Sequence, residues 1–291
     1  MTTVKEVLTN SVLPRREAEI ILAGPLRRPR EYLLAHPESN LSSALRRRFK
    51  TLEKKRLAGW PIAYLVGRQE FYGLAFQVNP AVLIPRPETE LLVETILDAL
   101  VERIKKSREK TALNDTVVLD LGTGSGAIII ALAKECKRRF PARFKKILWL
   151  ASDVSGAALK VARTNAWRLG INKIKFYRGD LLAPIKKFLA GKDLLIAANL
   201  PYLTPKQIQA SPTIKKEPRL ALKAGPDGLK YYRRLLQQLA RIKYSSLALL
   251  IEIEPGQKKK IMAWAQKYLP QAKIDFKRDL AGKTRMMRLL A

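Results

Sequence analysis

The feature that most constrains the fold is a buried strand, a glycine-rich turn and a helix that follow one another directly. Val117-Val118-Leu119-Asp120-Leu121 is an apolar, β-branched run of the kind that lies inside a parallel sheet. Gly122-Thr123-Gly124-Ser125-Gly126 follows as the turn, and residues 127–135 have helix-forming composition. This order is typical of the first unit of a doubly wound α/β sheet, whose loop offers a ligand site at the helix N-terminus.

Asp120 helps to choose among the ligands that such a loop could hold. Gly122, Gly124 and Ala127 also fit the spacing of a dinucleotide fingerprint, and a tight turn without a ligand is a further alternative. A carboxylate at the strand's end would repel a pyrophosphate, but would favour a ligand with an ammonium or a sulfonium group. S-adenosylmethionine (SAM) carries both, so the sequence predicts SAM as the cofactor.

Composition excludes several kinds of site. The 291 residues are 47% hydrophobic, enough for a substantial core, and contain no apolar run of transmembrane length. Cys136 and His36 are the only residues of their types, which excludes a disulfide framework, a thiolate metal cluster and a histidine triad. The first ten residues lack the apolar segment of a signal peptide, so we expect a cytoplasmic protein without a metal.

The net charge of +31 is extreme and should attract polyanions and acidic proteins. Lysine and arginine are spread along the whole chain, so the charge marks no particular site. We expect a monomer that encounters RNA or the ribosome.

Three segments can be distinguished along the chain. Residues 1–60 predict a domain of short helices, and the longest of these, over 43–58, has one apolar face and one basic face. The basic face indicates either a solvated surface or a domain that docks a partner. Residues 61–85 predict a β-hairpin linker, with short strands at 62–66, 70–72 and 74–78. Residues 86–291 form the α/β domain.

Polar residues stand at the ends of the further strands predicted in this domain. Asp153 ends the second strand, where a carboxylate can bridge ribose hydroxyls, and Asp180 ends the third, near an adenine amino group. The fourth strand leads into Asn199-Leu200-Pro201-Tyr202. Catalytic groups belong at this carboxyl edge of a parallel sheet. A proline-rich loop over 203–227 follows and is expected to border the site.

The segment from Asn199 to Tyr202 suits methylation of a planar nitrogen. The lone pair of an amide or aniline-type NH2 is delocalised, so an enzyme must accept hydrogen bonds from both N–H groups as the nitrogen attacks. The Asn199 side-chain oxygen and the Leu200 backbone carbonyl are two such acceptors, Pro201 fixes the turn, and Tyr202 offers a ring face. An Asx-type turn without catalytic function is the structural alternative.

With these residues in view, the chain resembles the HemK/PrmC family of peptide chain release factor glutamine methyltransferases. The resemblance covers nearly the whole length and is carried by several motifs. They are Pro61-Ile62-x-Tyr64-Leu65-x-Gly67, Glu70-Phe71-Tyr72-Gly73, Ile84-Pro85-Arg86-Pro87-Glu88-Thr89-Glu90, the loop from Asp120 to Gly126, Glu217-Pro218-x-x-Ala221-Leu222, Gly225-x-Asp227-Gly228-Leu229 and Glu252-x-Glu254-x-Gly256-Gln257.

The resemblance implies a seven-stranded class I SAM-dependent methyltransferase sheet and N5-methylation of the glutamine in the Gly-Gly-Gln loop of a class-1 release factor. The residues implied in cofactor binding are Asp120, Gly122, Thr123, Gly124, Ser125, Gly126, Asp153, Asp180, Leu181 and Asn199. Those implied in substrate binding are Arg86, Pro87, Thr89, Glu217, Pro218 and the catalytic segment Asn199, Leu200, Pro201 and Tyr202.

Two positions depart from the family pattern. The family usually has Asn-Pro-Pro-Tyr, whereas Asn-Leu-Pro-Tyr, with Leu200, is what rRNA adenine dimethyltransferases carry. Leu181 replaces an aromatic residue that often stands beside the adenine. The alternatives are therefore methylation of a glutamine in a ribosomal protein, N6-methylation of adenine in RNA, and a non-enzymatic RNA-binding protein.

Overall fold

The computed structural model describes residues 2–106, 115–211, 214–279 and 281–291. Within these ranges the chain forms a small helical N-terminal part, a hairpin and a large α/β sheet domain. No helix among the described residues is long and apolar enough to cross a membrane.

The N-terminal part packs short helices around one apolar core. The helices are α1 (Val4–Thr9), α2 (Arg15–Leu26), α3 (Arg30–Ala35), α4 (Ser43–Leu57) and α5 (Ile62–Val66). Ser42 caps α4 by accepting a hydrogen bond from the Leu45 amide at 3.3 Å, so the long helix begins where its capping residue predicts. Phe49 of α4 is fully buried in this core beside Ile21 and Leu22 of α2.

The expected strand over 62–66 is wrong, because this segment is helix α5. Pro61 stands at the N-cap and its carbonyl accepts the Leu65 amide at 3.2 Å, while Gly67 ends the helix in the left-handed region. Ile62 and Leu65 pack on the N-terminal core. A short apolar run fits a strand or a helix, and here the flanking proline and glycine decide for the helix.

The remaining linker forms the expected hairpin, with β1 (Arg68–Phe71) and β2 (Leu74–Gln77) paired antiparallel. Tyr72 and Gly73 both have positive φ, 52° and 66°, at its two-residue turn. Phe71 and Phe76 are buried in the core of the sheet domain. The hairpin therefore joins the helical part to the sheet domain.

The sheet domain has the expected doubly wound architecture. Its seven strands lie in the order β5-β4-β3-β6-β7-β9-β8, and every pair is parallel except those of β9. The strands are β3 (Thr116–Leu121), β4 (Leu148–Asp153), β5 (Lys175–Arg178), β6 (Asp193–Ala198), β7 (Ser246–Glu252), β8 (Lys273–Arg278) and β9 (Thr284–Leu290).

Helices cover both faces of the sheet, and each face has its own apolar core. The helices are α6 (Glu90–Lys106), α7 (Ala127–Arg139), α8 (Pro141–Phe144), α9 (Gly156–Arg168), α10 (Pro205–Ala210), α11 (Lys230–Leu239) and α12 (Lys258–Tyr268). Helix α10 lies within the expected loop over 203–227, where Thr204 and Gln207 form a capping box. Residues 212 and 213 of that loop lie outside the described residues.

Strand order decides which strand ends meet. Strand β3 lies between β4 and β6, and β6 lies between β3 and β7. The residues that follow β3, β4, β6 and β7 therefore lie at one edge of the sheet. This edge includes the point between β3 and β6 where the strand order changes direction.

Candidate functional site

The glycine loop over residues 122–126 borders a cleft at this edge. Gly122, Gly124 and Gly126 have φ of 68°, 53° and 81°, a conformation that side chains with a Cβ rarely adopt. A Cβ on Gly122 would lie 3.1 Å from the Leu200 side chain. The loop thus approaches the segment that follows β6, and Gly122, Thr123, Gly124 and Ser125 line the cleft, whereas Gly126 does not.

Asp120 lies beneath the loop and does not line the cleft. Its carboxyl is fully buried and accepts a hydrogen bond from the Thr123 hydroxyl at 2.6 Å. Burial raises the pKa of Asp120 to about 7. The side chain turns inward to hold Thr123, and its expected contact with the charged groups of a ligand stays a prediction.

Asp153, at the end of β4, lines the cleft beside the glycine loop. Its Oδ2 accepts the Gly124 amide at 2.9 Å, and its Oδ1 accepts the Ser155 amide at 2.8 Å. Burial raises the pKa of this carboxyl as well. Each oxygen keeps a further lone pair, so the carboxylate both holds the loop and remains able to accept hydroxyl groups.

Asp180 and Leu181 line the cleft next to Asp153. Asp180 Oδ2 accepts hydrogen bonds from Arg234 at 2.9 Å and Gln238 at 3.1 Å. These bonds fix the carboxylate and leave Oδ1 able to accept another donor. Leu181 is buried and has a φ of 49°, so an aliphatic side chain forms this part of the wall.

Asn199 follows β6 and is held by its amide nitrogen. Nδ2 donates to Glu252 Oε2 at 2.9 Å and to Thr89 Oγ1 at 3.0 Å. The Thr89 hydroxyl itself donates to Glu252 Oε2 at 2.7 Å. Since both partners of Nδ2 act as acceptors, the carboxamide oxygen must point the other way, and Asn199 lines the cleft.

The other three residues of the segment differ in whether they line the cleft. Leu200 and Pro201 line the cleft. The Leu200 carbonyl lies 3.1 Å from the buried Tyr232 hydroxyl and shares its proton with the nearer Glu252 backbone carbonyl at 2.5 Å. Tyr202 does not line the cleft, and its hydroxyl lies 3.4 Å from Glu252 Oε1. The hydroxyl of Tyr202 thus contacts Glu252, and the expected contact between its ring and a substrate stays a prediction.

The other residues expected to bind the substrate also differ in whether they line the cleft. Arg86, Thr89 and Pro218 line the cleft, whereas Pro87 and Glu217 do not. Glu217 is buried, forms an ion pair with Arg86 and accepts the Ile84 amide at 3.2 Å. Pro87 begins a short 3-10 helix, Pro87–Thr89, that places Thr89 beside Glu252. Both residues thus hold the wall in place.

Sequence reasoning assigned no role to Glu252 and did not consider Tyr232. Glu252 ends β7, as Asp120 and Asp153 stand at or near the ends of β3 and β4, so a carboxylate at a strand end was the available signal. Only the pairing of β7 with β6 in the sheet shows that this carboxylate contacts Asn199. Burial raises the pKa of Glu252 above its ordinary value, and the hydrogen bond from Thr89 offsets only part of this rise.

The cleft suits SAM. Its glycine loop exposes backbone groups at the start of α7, and Asp153 stands at the end of the neighbouring strand with free lone pairs for ribose hydroxyls. Within the described ranges there is no group of three histidine, cysteine or acidic residues that could hold a metal ion.

Comparison with known proteins gives consistent matches. Residues 2–67 match the family model of the PrmC N-terminal domain, and residues 113–244 match that of a methyltransferase domain. The release factor glutamine methyltransferase of Coxiella burnetii is 37% identical over 97% of this chain and 94% of its own length. That of Moorella thermoacetica is 42% identical over 87% of this chain and 83% of its own.

Among solved structures, the N-terminal domain of human METTL16 in complex with SAH superposes with a TM-score of 0.51. It is 15% identical and covers 84% of this chain and 83% of its own. At this identity the likeness shows the fold alone, which is the class I methyltransferase fold that the sequence predicts.

Proposed function

The chain belongs to the family of release factor glutamine methyltransferases, and from this we propose that it methylates N5 of a glutamine side chain with SAM as the methyl donor. The observation that carries the proposal is the orientation of Asn199, whose amide nitrogen is bound to Glu252 and Thr89. Its oxygen is thereby offered to a donor in the cleft, and a glutamine NH2 is such a donor.

The chemistry requires two acceptors at the attacking nitrogen. A glutamine amide nitrogen becomes nucleophilic only as its lone pair leaves conjugation, and hydrogen bonds from both N–H groups favour that change. Asn199 Oδ1 and the Leu200 carbonyl supply them, and the carbonyl keeps one lone pair beside its bond to Tyr232. When bound, SAM supplies a methyl group activated by its sulfonium. A nitrogen placed in line with that methyl would gain it as the methyl–sulfur bond breaks, and would then release one N–H proton to solvent.

The cofactor is held by the carboxyl edge of the sheet in this proposal. The loop over 122–126 would receive the amino acid part of SAM, Asp153 would accept hydrogen bonds from its ribose hydroxyls, and Asp180 with Leu181 would border its adenine. Asp120 contributes by holding Thr123.

We infer that the substrate is the Gly-Gly-Gln loop of a class-1 release factor, and that residues 1–60 help to dock this protein. Arg86, Thr89 and Pro218 line the same cleft as Asn199, where a glutamine side chain would bind. A monomer in the cytoplasm that meets the release factor near the ribosome fits the strongly basic composition.

N6-methylation of adenine in RNA is the second candidate, because Leu200 and the net charge of +31 favour it. An exocyclic adenine NH2 needs the same two acceptors. The two candidates differ in the substrate that receives the methyl group.

One experiment separates them. The protein is incubated with labelled SAM and a mixture of release factor and RNA, and both are analysed by mass spectrometry. We expect one methyl group on the Gly-Gly-Gln glutamine and none on adenine. Asn199→Ala should lower turnover by about 10²- to 10³-fold with SAM affinity unchanged, as for the loss of one preorganised group. Label on adenine alone would overturn the glutamine assignment.

A further inference from the structure

We propose that Glu252 is a positioning residue that fixes the carboxamide of Asn199 so that an acceptor, and not a donor, faces the reacting nitrogen. The inference rests on the proposed function, since it concerns the same transfer step. Glu252 lies outside the cleft lining and is only 6% exposed, so it acts through Asn199.

The two strand ends bring the residues together. Glu252 is the last residue of β7, and Asn199 follows the last residue of the neighbouring parallel strand β6. Thr89 reaches the same point from the short 3-10 helix before α6. Glu252 therefore accepts hydrogen bonds from three groups on two separate segments: Thr89 of the 3-10 helix, and Asn199 and Tyr202 of the stretch that follows β6.

A carboxamide can rotate by half a turn with little change in shape, so its orientation depends on its neighbours. In the observed orientation Nδ2 meets two oxygens, of Glu252 and of Thr89. The Thr89 proton is already directed to Glu252 at 2.7 Å. If the amide turned over, Oδ1 would face a carboxylate and an oxygen whose proton points elsewhere, and a buried acceptor would be left without a donor.

The turned amide would also spoil the reaction. Its NH2 would then face the NH2 of the glutamine, and two donors cannot form a hydrogen bond. One of the two acceptors required at the nitrogen would be lost. The carboxylate of Glu252 thus selects the reactive orientation before the substrate arrives, which is preorganisation of the kind that raises turnover.

The test first removes the carboxylate of residue 252, and then replaces the Asn199 carboxamide with a carboxylate that needs no orienting group. Glu252→Met keeps the length of the side chain but offers no acceptor, so kcat on the release factor should fall by about 10²-fold. SAM affinity and KM should stay within about 3-fold. Glu252→Gln should keep kcat within about 5-fold of wild type, because its amide oxygen can replace Oε2 while its NH2 donates to the Tyr202 hydroxyl.

The decisive variant combines Glu252→Met with Asn199→Asp. A carboxylate at position 199 has no wrong orientation, since either oxygen accepts from the substrate and the freed Thr89 hydroxyl can donate to the other. The double variant should be at least about 10-fold faster than Glu252→Met alone. Glu135→Met is the matched control, because Glu135 pairs with Arg138 and Arg139 on α7 away from the cleft, and its kcat should equal that of wild type.

The inference is overturned if Glu252→Met keeps kcat within about 3-fold of wild type, or if the double variant is no faster than Glu252→Met. If Glu252→Met does not fold, Glu252→Leu with and without Asn199→Asp decides in the same way, because leucine likewise offers no acceptor and leaves the Thr89 hydroxyl in place. All rates are ratios to wild type on whichever substrate the wild type methylates. An inactive wild type on the release factor contradicts the proposed substrate, whereas unchanged ratios contradict the role of Glu252.

Discussion

At the scale of single residues, four strand-end carboxylates do four different things. Asp120 holds a loop from below, Asp153 lines the cleft, Asp180 is fixed by two side chains of α11, and Glu252 holds an amide. The sequence predicted acidic strand ends for the first three and assigned all of them to the cofactor. It could not separate them, because burial of a side chain depends on what packs above it.

The buried carboxyl of Asp120 predicts a pH dependence of stability. Its pKa in the folded protein is about 7, above the ordinary value of 3.8. The unfolded chain therefore releases this proton first, and the contribution of Asp120 to stability is lost as pH rises from about 4 to about 7. Asp120→Asn has no such proton, so the variant should gain stability relative to wild type across this window.

The measurement is chemical denaturation of both proteins without SAM, from pH 4 to pH 8. The other titrating groups are shared, so they cancel in the difference between the two free energies of unfolding. A difference that does not change with pH would contradict the assigned burial.

The segment from Asn199 to Tyr202 shows which parts of the site can be predicted from the sequence and which cannot. Asn199 and Leu200 were predicted as the acceptors from four residues and the strand before them, and the structure places both in the cleft. The groups that orient them, Glu252 and Tyr232, come from elements far along the chain. Their roles depend on the strand order around β6, which no local pattern encodes.

At the scale of elements, long periodic or apolar segments were predicted well, and short ones less so. Strand β3, expected over 117–121, spans Thr116–Leu121, because a buried parallel strand is a continuous apolar run. The five-residue helix α5 was mistaken for a strand, since so short a run shows neither period clearly.

The turn before α11 gives a prediction about a loop. Gly228 has a φ of 71°, and a Cβ there would lie 2.3 Å from the Tyr202 carbonyl oxygen and 2.4 Å from Gln257 Nε2. That nitrogen donates to the Tyr202 and Gly228 carbonyls at 2.9 and 3.2 Å. Gly228→Ala should therefore break this link, destabilise the protein by about 2–4 kcal/mol and lower turnover.

Gly191→Ala is the matched control, since Gly191 has a similar φ of 69° but no atom within 4 Å of an added Cβ. Thermal unfolding should show a loss of only about 1 kcal/mol for this variant, from the backbone alone. Equal losses in the two variants would mean that the crowding at Gly228 is relieved without cost.

At the scale of the whole molecule, the N-terminal helices form a core of their own, and α5 joins this core to the sheet domain, because Ala63 and Tyr64 pack with Val82 and with Ala158 and Val161 of α9. The Tyr64 hydroxyl donates to the Val82 carbonyl at 2.6 Å, and the Lys216 ammonium lies 5.5 Å from the centre of the Trp60 ring. Lys216 belongs to the chain that leads to Pro218 at the cleft. The helical part thus contacts the cleft's rim without forming its floor.

Deletion of residues 1–60 should therefore leave SAM affinity within about 3-fold and raise KM for the release factor by at least about 10-fold. The deletion keeps α5, because Ala63 and Tyr64 pack with Val82 and Ala158, which line the cleft. Calorimetry measures the first quantity and steady-state kinetics the second, after circular dichroism has confirmed the fold. If KM stays at the wild-type value, residues 1–60 have no docking role.

The position of β9 has a consequence for biosynthesis. Strand β9 runs antiparallel beside β7, and Met286 pairs with Glu252. A ribosome that has translated through Leu239 has already made every residue proposed to hold SAM, together with the α11 side chains that fix Asp180. The carboxylate that orients Asn199 and the strand that flanks it are translated only later. A nascent chain should acquire its cofactor cradle first and remain unable to transfer a methyl group until β7 and β9 have left the exit tunnel.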